Sequence, residues 1–201
     1  MERITLADVK RLPEYEAMRD AMRSHVIDLK KRRRVPLGDH ISLVFENRET
    51  VLYQIQEMVR AEHITSADAI QAEIDVYGPS IPERNQLSAT MFIEITEQDA
   101  IRSELDRLIG VNERLRLRIG ERHAVPGVFE PGWSREDRIA AVQYVKFPLT
   151  PEQAEAFKGG REPVFLEVDH PNYQVSIRME EAGRQELARE LGSPSIRKAT
   201  G

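Results

Sequence analysis

The stretch FENRETVLYQIQEMVRAE, Phe45 to Glu62, places a phenol, a carboxylate and a guanidinium where one ligand could meet all three. Tyr53, Glu57 and Arg60 are separated by four and three residues, so a helix turning about 100° per residue presents them on one face. Gln54 and Gln56 flank them with amide donors and acceptors. Such a face can bind a polar ligand or a protein partner. The plainer reading is a solvated surface braced by a Glu57–Arg60 pair worth about 0.2–0.5 kcal/mol. Glu57 is expected in a shallow cleft between this helix and the second half of the chain. Glu62 falls within the apolar stripe of the same helix, where an unpaired carboxylate is costly, so it must be paired or sit at the helix rim.

A second chemistry requires His40, Glu46 and Glu57 to meet. Oxygen-rich ligands with one imidazole suit iron or manganese better than zinc. None of the five histidines lies in an HxxxH or HExxH arrangement, so only tertiary folding could assemble this site. No cofactor is predicted on motif grounds; iron or manganese enters only through this alternative. A third possibility is the basic run Lys30, Lys31, Arg32, Arg33 and Arg34, which could dock an acidic protein or contact phosphates. No aromatic residues interleave with it and no groove-reading motif follows, which makes nucleic-acid binding the weaker option. Cations at a helix C-terminus are also favoured by the macrodipole alone. DHPNY, Asp169 to Tyr173, reads first as a turn, and Trp133 as a partner anchor or a loop side chain over the core. Phosphate loop, dinucleotide fingerprint and nucleophile elbow are all absent from the sequence.

The elements that must position these residues belong to a chain of 201 residues with net charge −5 and no cysteine. That composition removes disulfides, cysteine nucleophiles and cysteine-ligated clusters, and disfavours general affinity for polyanions. No apolar run reaches the roughly 18 residues of a membrane span, and the N-terminus lacks the apolar segment of a signal peptide, so a soluble cytoplasmic protein without membrane association is expected.

Three-four spacing predicts a helix from Glu14 to Arg32 carrying Tyr15, Met18, Met22, His25, Val26 and Leu29 on one face, stopped by Pro36 and Gly38. Ile41 to Glu46 alternates as a strand with one buried face. Asn47 then caps the helix of the opening stretch, whose Val51, Ile55 and Met58 stripe should pack on the neighbouring strand. Ser66 starts a third helix ended by Gly78 and Pro79, LSATMFIEI reads as a strand, and Thr96 to Leu108 as a helix closed by Gly110. Beyond Gly110 the period changes to two: Leu115, Leu117 and Ile119 lead into a Gly120-Glu121 hairpin, then further strands. Thr150, Pro151 and Gln153 form a capping box for a short helix ended by Gly159, and EEAGRQELAREL closes as another. The expected architecture is α+β, a helix-rich N-terminal half packed on a mainly antiparallel β-rich C-terminal half. Its subdomains are residues 1–109 and 110–191, with a disordered tail at 192–201.

The runs KRRRVPLGDHISLVFENRETVLYQIQEMVRAE, AAVQYVKFPL and VFLEVDHPNY resemble a bacterial family catalogued as domain of unknown function 3501. Phe45, Glu46, Asn47, Arg48, Thr50, Tyr53, Gln54, Gln56, Glu57 and Met58 carry most of the resemblance, which covers nearly the whole chain apart from its tail. It brings no reaction and no catalytic residues. It implies a redox or peroxide-defence context, members being encoded beside rubrerythrin-like and iron–sulfur oxidoreductase proteins. The expectation is an accessory protein that binds such a partner through Tyr53, Glu57, Arg60 and the basic run. Lacking cysteine, this chain would leave any iron–sulfur cluster to that partner.

Overall fold

Pro13 lies in the first turn of α1 (Leu12–Arg33), where a missing N–H leaves no helical hydrogen bond unmade. Down α1 the covered positions include Tyr15, Arg19, Met22, Val26, Leu29 and Arg33, six in alternating steps of four and three. Two of the six are arginines, while Met18 and His25, counted on the apolar stripe by spacing, are exposed. The computed structural model describes residues 3–132 and 138–192. Trp133 and the tail from residue 193 onward lie outside the described residues.

Strands β1 (Arg34–Leu37) and β2 (Ile41–Phe45) form a hairpin, followed by α2 (Arg48–Ala61), α3 (Ala67–Tyr77) and β3 (Gln86–Ile93). The chain continues through α4 (Ile101–Arg107), β4 (Leu115–Ile119), β5 (His123–Pro126), β6 (Val128–Phe129) and β7 (Val142–Pro148). It ends with α5 (Pro151–Gly159), β8 (Val164–His170), β9 (Tyr173–Arg178) and α6 (Glu181–Ala188). The fold is α+β with two antiparallel sheets, ordered β1-β2-β3-β7-β6 and β5-β4-β8-β9. The apolar faces of both close over one core, in which Phe45, Met91 and Phe147 of the first sheet join Leu117, Leu166 and Val168 of the second.

Two expectations require correction. The change of period at Gly110 does not divide packing units, because β7 from beyond it pairs along the whole of β3, from Gln86↔Pro148 to Phe92↔Val142. With β2 on one side, β3 had a second edge to satisfy, and β7 supplies it. Nor does β2 bury a single face: all five of its residues are buried, since α1 covers the side that alternation assigned to solvent.

Local signals were otherwise followed closely. Thr150 Oγ1 accepts from the Gln153 backbone N–H at 3.2 Å and Gln153 Oε1 accepts from the Thr150 N–H at 2.9 Å. The α5 helix runs to Gly159, the residue expected to end it. Gly160 turns out of it in the left-handed conformation at φ 66°, where a Cβ would meet the Arg184 guanidinium. A Thr150→Ala variant should lose about 1 kcal/mol, read as a lower urea midpoint at unchanged slope. Among the described residues no helix is long and apolar enough to cross a membrane.

Candidate functional site

The apolar stripe of α2 does not rest on a strand. Val51, Ile55 and Val59 pack with Ile74 of α3 and with Ile4, forming a cluster apart from the main core. Beside the apolar Val44 and Phe92, the sheet face turned toward the helices carries Thr90, Ser88 and Glu46, all buried. Burying such groups is unfavourable unless their hydrogen bonds are made. Between these layers lies a cavity of ≈ 140 Å³.

Glu46 forms its floor. The residue sits between the end of β2 and the Asn47 N-cap of α2, and its backbone N–H donates to Ser88 O at 2.8 Å. Its side chain, 8% exposed, is held by two hydroxyls: Thr90 Oγ1 donates to Oε1 at 2.7 Å and Thr50 Oγ1 to Oε2. Thr50 is also the third helical residue of the capping box, accepting from the Asn47 N–H at 2.9 Å. The turn that starts α2 thus also aims the carboxylate.

Lys30 from α1, Gln54 from α2, Tyr77 from the end of α3 and Ser80 from the 3-10 turn after it face the same space. Their side chains have no hydrogen-bond partner among the described residues. Tyr144, across β3 from Thr90, completes the polar wall. Burial pushes its phenol above the ordinary range, and nearby Tyr77, Glu46 and Glu130 push it further. Val51, Phe92 and Val142 supply apolar surface. One ammonium, one carboxylate, an amide and several hydroxyls around a small volume can orient a polar molecule by its charges and hydrogen bonds.

A family model described as protein of unknown function (DUF3501) matches residues 3–191. The chain belongs to this family. A crystal structure of a novel protein of unknown function from Burkholderia pseudomallei K96243 shares the fold of this DUF3501 chain. Its TM-score is 0.89 at 32% identity, covering 95% of this chain and 100% of that one. None of the curated proteins matches the sequence.

The residues singled out by sequence reach three places in the DUF3501 fold. Glu46, Gln54 and Lys30 line the cavity. Tyr53, Glu57 and Arg60 face α1 instead of the β-rich half. Arg19 Nε and Nη2 each donate to a Glu57 oxygen at 2.8 Å, Tyr15 Oη donates to Oε1 at 2.6 Å, and Arg60 pairs with Glu16 at 2.7 Å. The Glu57 side chain is 24% exposed, and no described residue beyond Gly110 is among its hydrogen-bond partners. The cleft between halves expected for it is therefore not where it lies, because α1 folds back over α2 first. The Arg19 fork holds the Glu57 carboxyl down to about 2, against the opposing effect of burial and with help from Tyr15. Burial and then Glu57 push the Tyr53 phenol up. Gln56 is buried and serves the backbone: its amide donates to Lys10 O at 2.9 Å and accepts from Lys10 N at 2.8 Å. Glu62, at the C-cap of α2, is exposed, so it occupies the rim.

The basic run is not a continuous patch. Arg33 is fully buried and Arg34 pairs with Glu94 at 2.6 Å. Lys31 pairs with Asp28 at 3.0 Å, and Arg32 lies 3.7 Å from Glu186, leaving Lys30 to the cavity. Arg33 is thus withdrawn into the fold, while Lys31, Arg32 and Arg34 make their pairs at the exposed surface. His40, Glu46 and Glu57 do not meet. His40 and Glu46 stand at opposite ends of β2, roughly 20 Å apart along an extended strand, and both Glu57 oxygens are taken. Among the described residues no group of three or more His, Asp or Glu side chains is placed to hold a metal ion. Sequence reading missed Thr90, Tyr144, Tyr77 and Ser80. The polar outward positions of SATMF were a signal for Thr90, but its register with Tyr144 belongs to the pairing of β3 with β7.

Proposed function

We propose that this DUF3501 protein binds a small polar organic molecule in the Glu46 cavity. One observation carries the reading: Lys30, Gln54, Tyr77 and Ser80, with no hydrogen-bond partner among the described residues, converge on a buried carboxylate held by two threonines. A layer between helices and sheet is ordinarily closed by apolar side chains, and keeping it polar lowers stability unless the polarity is used. A ligand at about 100 times its Kd would stabilise the fold by about 2.7 kcal/mol, a rise in Tm of roughly 5–10 °C for a chain of this size. The test is thermal denaturation of wild type and a Val51→Phe variant, which fills the cavity, against small polar metabolites. At least one compound should raise Tm for wild type and leave the filled variant unmoved. Equal shifts in both proteins, or none in either, would overturn the proposal.

We further propose that this binding serves an accessory role in the cytoplasm beside a redox protein. What supports that context is the family association with rubrerythrin-like and iron–sulfur oxidoreductase proteins. The absence of cysteine sets its limit, since any iron–sulfur centre would belong to the partner.

A further inference from the structure

We infer that the occupant of the Glu46 cavity is a small zwitterion of the α-amino acid type, its carboxylate at Lys30 and its ammonium at Glu46. The inference rests on the binding reading above and deepens it. Lys30 and Glu46 face one cavity yet form no ion pair with each other, and among the described residues neither has an oppositely charged side chain as partner. The arginines close to Glu46 are engaged elsewhere: Arg33 Nη2 donates to Glu46 O, not to the carboxylate, and Arg48, two residues on, pairs with Asp8 at 2.6 Å. Two opposite charges, not paired with each other, therefore line one space together with the apolar side chains of Val51, Phe92 and Val142. Charges beside apolar walls interact more strongly than in water, so each favours a ligand charge of reverse sign.

Hydrogen-bonding capacity points the same way. Each Glu46 oxygen accepts one threonine hydroxyl, and a carboxylate offers about four acceptor sites, so two remain for an incoming donor. The Lys30 ammonium has three donors and no acceptor, while Gln54, Tyr77 and Ser80 add donors suited to a carboxylate. A simple anion would satisfy Lys30 and sit uncompensated beside Glu46. A simple amine would do the reverse, and a neutral polyol would answer neither charge.

Volume limits the choice further. The space of ≈ 140 Å³ is close to that of an engineered cavity of about 150 Å³ that holds benzene, a ligand of six heavy atoms. Amino acids from alanine to valine, roughly six to eight heavy atoms, match it, with the side chain against the apolar wall. Nucleotides and peptides do not.

The experiment is titration calorimetry with thermal denaturation of the full chain, using L-alanine, L-serine and L-valine, with propionate and ethylamine as single-charge controls. At least one amino acid should bind and raise Tm, with both controls at least about tenfold weaker. Lys30→Met and Glu46→Gln should each weaken that amino acid by about tenfold or more. Lys30 is only half-buried, so its variant keeps the test decisive if Glu46→Gln fails to fold. Propionate or ethylamine binding as tightly as the amino acids would overturn the inference, as would amino-acid binding indifferent to Lys30→Met. If the amino acids are silent while another small polar compound stabilises wild type but not Val51→Phe, this inference falls and the binding reading stands. If no compound does so, both fall.

Discussion

Arg33→Met should destabilise the fold by about 3–5 kcal/mol, the usual cost of removing one partner from a buried charged network. The Arg33 side chain is 0% exposed and every branch of its guanidinium is used. Nε donates to Phe45 O at 2.9 Å, Nη2 to Glu46 O at 3.1 Å, and Nη1 to Glu186 at 3.2 Å and Glu190 at 3.0 Å. Methionine keeps much of the volume but takes this donor from two carbonyls at the end of β2, and leaves Glu186 with only Arg189 and Arg32 and Glu190 with only the Asn47 amide at 3.4 Å. Lysine cannot rescue it, because one ammonium does not reproduce a planar fork spanning four acceptors. Chemical denaturation measures this as a lower midpoint at unchanged slope. Lys31→Ser in the same basic run should stay within about 0.5 kcal/mol, since Lys31 points outward. A loss below about 1 kcal/mol for Arg33→Met would remove the network from the account of stability. Because Arg33 grips the Glu46 carbonyl, the variant should also loosen the floor of the cavity.

The second large effect is expected in acid. The folded-state pKa of Glu57 is depressed from 4.5 to about 2, so its contribution is fully present above the unfolded value and fades as pH falls from about 4.5 through 2. The shift sets an upper bound of roughly 3 kcal/mol at neutral pH, reduced to about 2 by solvent screening of a side chain a quarter exposed. Glu57→Gln should therefore destabilise the protein at pH 7 by about 1–3 kcal/mol. It should also flatten the dependence of stability on pH between about 4.5 and 2. Parallel pH curves for wild type and variant would show that the Arg19–Glu57–Tyr15 cluster does not tie α1 to α2 in the manner its geometry indicates. The same cluster explains why the polar face of α2 is a joint between helices and not an open site.

Family membership was legible in the resemblance along most of the chain, and the short-range elements because the interactions that make them span three or four positions. The Asn47 cap and the Thr150–Gln153 box close within one helical turn, and the turn after His170 needs only its local residues. The basic run misled for the opposite reason. Composition makes Lys30 to Arg34 a charged patch, whereas the rotation of α1 sends Arg33 inward, toward carboxylates that approach from the far end of the sequence. Alternation likewise marked one face of β2 for solvent, and only the return of α1 over it shows why Ser42 and Val44 are buried. The cavity lay beyond local reading altogether. Its walls come from α1, α2, the end of α3, β3 and β7, and they meet because strand register sets Thr90 opposite Tyr144 while α2 spends its apolar stripe on α3. Register and helix packing are long-range choices, made where burying the apolar faces leaves the fewest polar groups unsatisfied, and no window of adjacent residues contains that comparison.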